Sequence, residues 1–241
     1  ILLQKKYLNI SNKNNYFKEN NLKKNILIIG DSHGWDVFYS LKKINKINND
    51  SNLQFYNMGL STCFKNKIKE NILTNLIKRI LELHDRTEVC RNILNDPNLL
   101  EALIRADKII VANRWYLNHD FVKLINFFKL NTKTETIFIN RINSFFDPPT
   151  LLYKNGIDTN KIAFKKKDEI TYKINKKMNN LFSKLNIKYI DRSNFFCNNK
   201  RCTILHNNNL LFSDQDHLTE AGHIYQSKLL KKTKLISYLF D

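Results

Sequence analysis

The chain has 241 residues, enough for one α/β domain with a buried core. Five Gly and three Pro exclude a collagenous or linker-dominated chain, and no apolar run reaches the about 18 residues that cross a bilayer. Lys and Arg number 40 against 22 Asp and Glu, a formal charge of +18, but the lysines are spread over every expected helix (Lys42, Lys43, Lys176, Lys177, Lys231, Lys232) without a zinc-finger, ribonucleoprotein or phosphate-loop motif. We read a solvated basic surface, open to an anionic membrane or polysaccharide, and no nucleic-acid partner.

Residues 1–24 are polar and Asn-rich with weak periodicity, and read as a lead-in segment or linker before a domain over 25–241. The first strand is Asn25 to Ile29. Apolar residues at helical spacing (Val37, Phe38, Leu41, Ile44) make Trp35 to Ile47 the first crossover helix. A second strand, Leu53 to Tyr56, ends in Asn57-Met58-Gly59. Lys65 to His84 reads as a helix and Asn98 to Arg105 as a shorter one. Lys108 to Ala112 is a buried strand, Phe121 to Leu130 a helix and Thr136 to Asn140 a fourth strand. Ser144 to Gly156, with Pro148-Pro149, is expected as a loop at the sheet's carboxyl edge. Asp168 to Leu185 reads as a long helix, Ile187 to Ile190 as the fifth strand and Thr219 to Tyr238 as one terminal helix. Strands alternating with helices imply a doubly wound parallel sheet, an α/β fold of five strands with flavodoxin-like winding.

The run Ile26-Leu27-Ile28-Ile29 breaks directly into Gly30-Asp31-Ser32-His33-Gly34. A serine there has its hydroxyl at the carboxyl end of a parallel strand, where open α/β sheets bind ligands. By itself Gly-Asp-Ser is also turn and helix N-cap chemistry. Near the other end stands Ser213-Asp214-Gln215-Asp216-His217-Leu218-Thr219. A carboxylate here, Asp214 or Asp216, can hold one imidazole nitrogen of His217 while the other faces a serine hydroxyl. Ser32, His217 and an Asp therefore form a candidate nucleophile, base and orienting acid. His119-Asp120 looks like a second acid–base pair, with helix capping before Phe121 as the competing reading.

Four cysteines, Cys63, Cys90, Cys197 and Cys202, permit three pairings if all are bridged. A zinc site of Cys197, Cys202 and His206 fits no common template and lacks an evident fourth ligand, so no metal or other cofactor is expected.

With Gly30-Asp31-Ser32 in a first block and Asp214-x-x-His217 in a last one, the chain resembles the SGNH (GDSL-type) hydrolase superfamily. Arg114-Trp115 after the third strand, Cys197 with Cys202, and His217-Leu218-Thr219 before Ala221-Gly222 resemble one branch of it. That branch is the extracytoplasmic SGNH domain fused to bacterial membrane O-acyltransferases of the acyltransferase 3 type, which decorate envelope glycans. The resemblance implies Ser32 as nucleophile, His217 as base and Asp214, three residues before it, as orienter. Asp216 is then left to cap or solvate the helix start.

For the oxyanion hole the resemblance implies the Ser32 and Gly59 amides. The superfamily's Gly-x-Asn-Asp block is departed from in Ala112-Asn113-Arg114-Trp115, so Asn113 supplies a third donor with its register offset by one, or the hole uses backbone alone. That departure is itself typical of the branch. His33 is a tentative ligand contact against a packing role, and Trp115 a sugar-stacking wall against a core role. In the branch, Cys197–Cys202 is a disulfide, which leaves Cys63–Cys90 as the remainder.

The resemblance further implies acetyl transfer to an envelope glycan through an acyl-serine. The donor would come from a membrane domain, on the periplasmic or other extracytoplasmic face and tethered to the inner membrane. A start at Ile1, without initiator Met or signal peptide, reads as a fragment of such a protein. The same triad with water as acceptor is a carbohydrate esterase; a fold that kept only glycan binding is the third reading.

Overall fold

Strand β1 (Lys24–Gly30) runs between β2 (Ser51–Asn57) and β3 (Lys108–Ala112), and all three point the same way. Strands β4 (Thr136–Ile139) and β5 (Tyr189–Ile190) continue the parallel sheet, giving the order β2-β1-β3-β4-β5. The structure is a computed structural model that describes residues 17, 23–64, 88–145, 147–155, 160, 163, 169–198 and 201–241.

Every residue of the Ile26–Ile29 run is fully buried because the sheet is covered on both faces. Alternation divides the run: Leu27 and Ile29 join Ile109, Val111 and Phe138 on one face, and Ile26 and Ile28 join Ile110, Ala112, Ile137 and Ile139 on the other. On the first face lie α4 (Pro97–Arg105), α5 (Phe121–Asn131) and α7 (Glu169–Lys184), through Leu103, Phe128 and Phe182. The opposite face carries α1 (Ser32–Lys42), through Val37 and Leu41, and the C-terminal α8 (Glu220–Leu230) and α9 (Leu235–Phe240). Each such buried aliphatic side chain contributes about 1.5–3 kcal/mol. The winding reverses between β1 and β3, so the carboxyl ends of these two strands frame the crevice of the fold.

Several boundaries differ from the sequence reading for local reasons. The first crossover helix stops at Lys42, and a short α2 (Asn45–Asp50) follows. The loop expected around Pro148-Pro149 contains a helix, α6 (Pro148–Asn155); both prolines sit in its first turn, where a missing N–H costs nothing. The expected single terminal helix is two, because Thr233 donates to Leu230 O (2.7 Å) and accepts from the Leu235 N–H (3.2 Å), ending one helix and starting the next. A short helix α3 (Leu60–Cys63) and a hairpin of β6 (Leu205–His206) and β7 (Asn209–Leu210) were not expected. Asn207 and Asn208 turn that hairpin with φ of 48° and 61°. The helix expected over Lys65 to His84 lies outside the described residues, as does most of the segment 1–24.

Candidate active site

The serine turn is built by two backbone constraints. A Cβ on Gly30 would lie 1.7 Å from Ala112 O, so only glycine lets β1 pass β3 here. Asp31 then caps α1: its carboxylate accepts the His33 N–H (2.9 Å) and the Arg114 N–H (2.9 and 3.1 Å), while its own N–H donates to Asn113 Oδ1 (3.1 Å). Capping thus falls to Asp31, and Ser32 is the exposed first residue of the helix. Its N–H belongs to the first turn, where amides lack intrahelical acceptors.

His217 reaches this serine from the far end of the chain. Its Nε2 is 2.7 Å from Ser32 Oγ, and its Nδ1 is 2.7 and 3.0 Å from the two oxygens of Asp214. Asp214 Oδ1 also accepts the N–H groups of Asp216 (3.0 Å) and His217 (2.9 Å), which fixes the turn. Ser213 N–H donates to His217 O (2.9 Å) and Phe145 N–H to Gln215 O (2.8 Å). Beneath the turn, Phe145, Phe196, Phe212 and Leu218 form a separate apolar cluster. Burial disfavours the His217 cation, but the Asp214 hydrogen bond and the charges of Asp214, Asp36 and Asp216 outweigh it and raise the pKa above its ordinary value. Burial raises that of Asp214, and the hydrogen bonds from Asp216 and His217 carry it below the usual range.

Asp216 differs from its expected role. It is buried, while Thr219 caps α8 by accepting the Gly222 N–H (3.1 Å). Its Oδ2 lies 2.9 Å from Arg141 Nη2, 3.2 Å from Arg114 Nη2 and 3.4 Å from His33 Nε2, and its Oδ1 is 3.7 Å from His217 Nδ1. Burial alone would raise its pKa; the bond and charge of His33, with Arg114 and Arg141, hold it well below the carboxylate range. His33, Asp216 and His217 are close enough to share a cation. The donor set does not suit one, since Asp214 and Ser32 engage both His217 nitrogens and two guanidiniums already share Asp216.

A family model described as "SGNH domain (fused to AT3 domains)" matches residues 6–232. The chain belongs to this SGNH family. The structure is similar to that of the periplasmic domain of a lipopolysaccharide acetyltransferase from Salmonella ser. Paratyphi A. The two are 17% identical, the match covers 98% of this chain and 90% of that one, and the TM-score is 0.64, a likeness of fold. No curated protein matches the chain. Membership supports acyl-transfer or esterase-type chemistry for this SGNH domain.

The remaining expected residues of the SGNH domain fall in three places. Met58 N–H donates to Gly30 O (2.9 Å), which holds the turn carrying Gly59 against the end of β1. Asn113 is buried beside it; its Oδ1 holds Asp31, and its Nδ2 has no partner among the described residues. His33 and Trp115 are corrections. His33 is 0% exposed against Asp216 and His217, and Trp115 is 1% exposed, its indole N–H bonded to Ile139 O (2.8 Å) and its ring packed on Phe121. Neither lines the cleft. Asp120 caps α5 by accepting the Lys123 N–H (2.9 Å), which settles the His119-Asp120 pair as a helix start. Both disulfides are present, Cys63–Cys90 and Cys197–Cys202.

Ser32 opens onto a cleft of about 870 Å³. Its walls include Trp35, Tyr39 and Phe55, which the sequence reading passed over, and Asp36 and His223, whose contact (2.8 Å) joins α1 to α8. Trp35 lies three residues after Ser32, a spacing that shares one helix face and was the available signal. Asp36, His223 and Arg141 had none, because their partners are distant in the chain.

Proposed function

We propose that this SGNH domain transfers an acetyl group to a hydroxyl of a cell-envelope glycan through an acyl-Ser32 intermediate. The observation that carries the reading is the continuous contact from Ser32 Oγ through His217 to Asp214 at the carboxyl end of β1. Ser32 Oγ attacks the acyl carbonyl while His217 Nε2 takes its proton, and Asp214 stabilises the imidazolium. The oxyanion is held by the Ser32 and Gly59 amides and the Asn113 Nδ2, donors of the kind worth about 3–4 kcal/mol each. His217 returns the proton to the leaving group, then takes one from the acceptor hydroxyl as it attacks the acyl-serine, and gives it to Ser32 Oγ as the bond from Oγ to the acyl carbon breaks.

Family membership supports a membrane acyltransferase domain as the source of the acyl group. Two disulfides support an extracytoplasmic setting. Hydrolysis is the second reading, favoured by the exposure of Ser32 and of Asp214, whose side chain is 54% accessible, since water reaches both. Incubation with an activated acetyl ester, with and without envelope sugars, followed by mass spectrometry, separates the two. Acetylated sugar is the expected product; free acetate alone assigns an esterase, and no Ser32-dependent product leaves a binding domain.

A further inference from the structure

Resting on that reading, we propose that the cleft beside Ser32 is an acceptor subsite for an uncharged pyranose, which stacks on Trp35 and Tyr39. A pyranose has apolar C–H faces and a rim of hydroxyls, so it needs an aromatic surface bordered by polar groups. The cleft has both. Trp35 meets Tyr39 and Phe55 edge-on, with ring centroids 4.7 and 5.1 Å apart, and Tyr39 stacks on His223 at 5.5 Å, making one aromatic wall from α1 to β2. The same cleft is lined by Asn57, Lys43, Glu220 and Ser213 as hydrogen-bonding groups. The volume of about 870 Å³ exceeds what an acetyl group occupies and lies in the range of sites that enclose a whole small molecule.

Charge selects the kind of sugar. Although the chain carries +18 overall, the described residues that line the cleft include four carboxylates, Asp31, Asp36, Asp214 and Glu220, against one lysine, Lys43, and two histidines, His217 and His223, which are held by Asp214 and Asp36. Lys43 is paired with Glu220 at 2.9 Å, and buried Arg192 acts from beneath on Asp36 and Asp31. A uronate or phosphorylated sugar would bring its charge against Asp214 and Asp36 with no unpaired cation among the described lining residues to receive it. A neutral hexose carries no charge to repel, and its hydroxyls find acceptors in the carboxylates and both donors and acceptors in Asn57 and Ser213. The polar border also disfavours a long acyl chain as occupant.

The test uses the 241-residue chain carrying Ser32→Ala, so that binding is read without turnover. Methyl glycosides of glucose, galactose, mannose and rhamnose are titrated alongside methyl glucuronide and methyl galacturonide. Tryptophan fluorescence and saturation-transfer NMR report binding, Trp35 being the cleft tryptophan and Trp115 the core one. At least one neutral glycoside should bind saturably, its matched uronide about ten-fold more weakly. Adding Trp35→Ala should weaken the neutral glycoside about ten-fold, and Trp35→Phe should restore most of it. Uronides binding as well as their neutral partners, an unchanged affinity in Trp35→Ala, or displacement by hexanoate but by no sugar would each overturn the proposal. Should Trp35→Ala not fold, the uronide comparison and Trp35→Phe decide it. If neutral glycosides bind but p-nitrophenyl acetate never acylates Ser32 in the unsubstituted chain, the transferase reading fails and the subsite stands. If Ser32 is acylated and no neutral glycoside binds, the subsite fails alone.

Discussion

Ser32 Oγ and His217 Nε2 stand 2.7 Å apart although 185 positions separate them. The contact depends on α1 and α8 lying side by side, locked by the Asp36–His223 pair and by Gln226 Nε2 donating to Ser40 Oγ (2.8 Å). The nucleophile thus starts one helix and the base sits on the turn leading into its neighbour, so their distance reports how the two helices pack.

The raised pKa of His217 sets the acid side of the pH profile. Neutral His217 is the base, so activity falls as pH drops through a value above the ordinary 6.5. Asp214→Asn removes the hydrogen-bonded charge that raises it and should move this limb to lower pH, with a loss in kcat of about 10²–10⁴. A pH–rate series on both proteins with an activated acetyl ester checks it, and an unmoved limb would assign the titration to another group.

Asp216 is predicted to matter for folding. Asp216→Ala leaves the buried Arg141 guanidinium without its carboxylate and should cost about 3–5 kcal/mol in urea unfolding. Its folded pKa is depressed, so its contribution is fully present above the unfolded carboxylate value of about 4 and is lost as pH falls below that toward the folded one. Unfolding free energies measured from pH 7 downward should drop over that window in the parent chain, and less in the variant.

Much of the fold was legible because it rests on local pattern. The Ile26–Ile29 run, the strand Lys108–Ala112 and helices over 98–105, 121–130 and 168–185 are read directly from hydrophobic period, and Asp214-x-x-His217 is a short-range arrangement. What was not legible depends on contacts made across the fold. Trp115 and Trp35 are both aromatic residues next to motif positions, and only tertiary packing puts Trp115 in the core and Trp35 in the cleft. Asp216 reads as a helix-start acid until Arg114 and Arg141 arrive from the ends of β3 and β4. The Asn207-Asn208 turn was hidden by a chain rich in asparagine everywhere.

Gly30 has a specific steric reason to be glycine. With a Cβ placed 1.7 Å from Ala112 O, Gly30→Ala must separate β1 from β3. The substitution should destabilise by about 3 kcal/mol or more and disorder the Ser32 turn. Urea midpoints compared with those of the parent chain check it, and a midpoint within experimental scatter would contradict the close approach.

Asn113 combines a structural oxygen with a buried amide nitrogen that has no partner among the described residues. If that nitrogen serves the oxyanion, Asn113→Asp, which keeps the acceptor for the Asp31 N–H, should lower kcat about 10²–10³-fold with little change in KM. Steady-state kinetics on an activated ester distinguishes this from loss of substrate binding, which would raise KM instead.

The proposed function requires that Ser32 carry the acyl group. Its direct test is peptide mass spectrometry of the chain quenched during turnover of p-nitrophenyl acetate. One acetyl group is expected on the peptide containing Ser32, absent in Ser32→Ala together with ester turnover. Full turnover in Ser32→Ala, or acetylation confined to other residues, would contradict it.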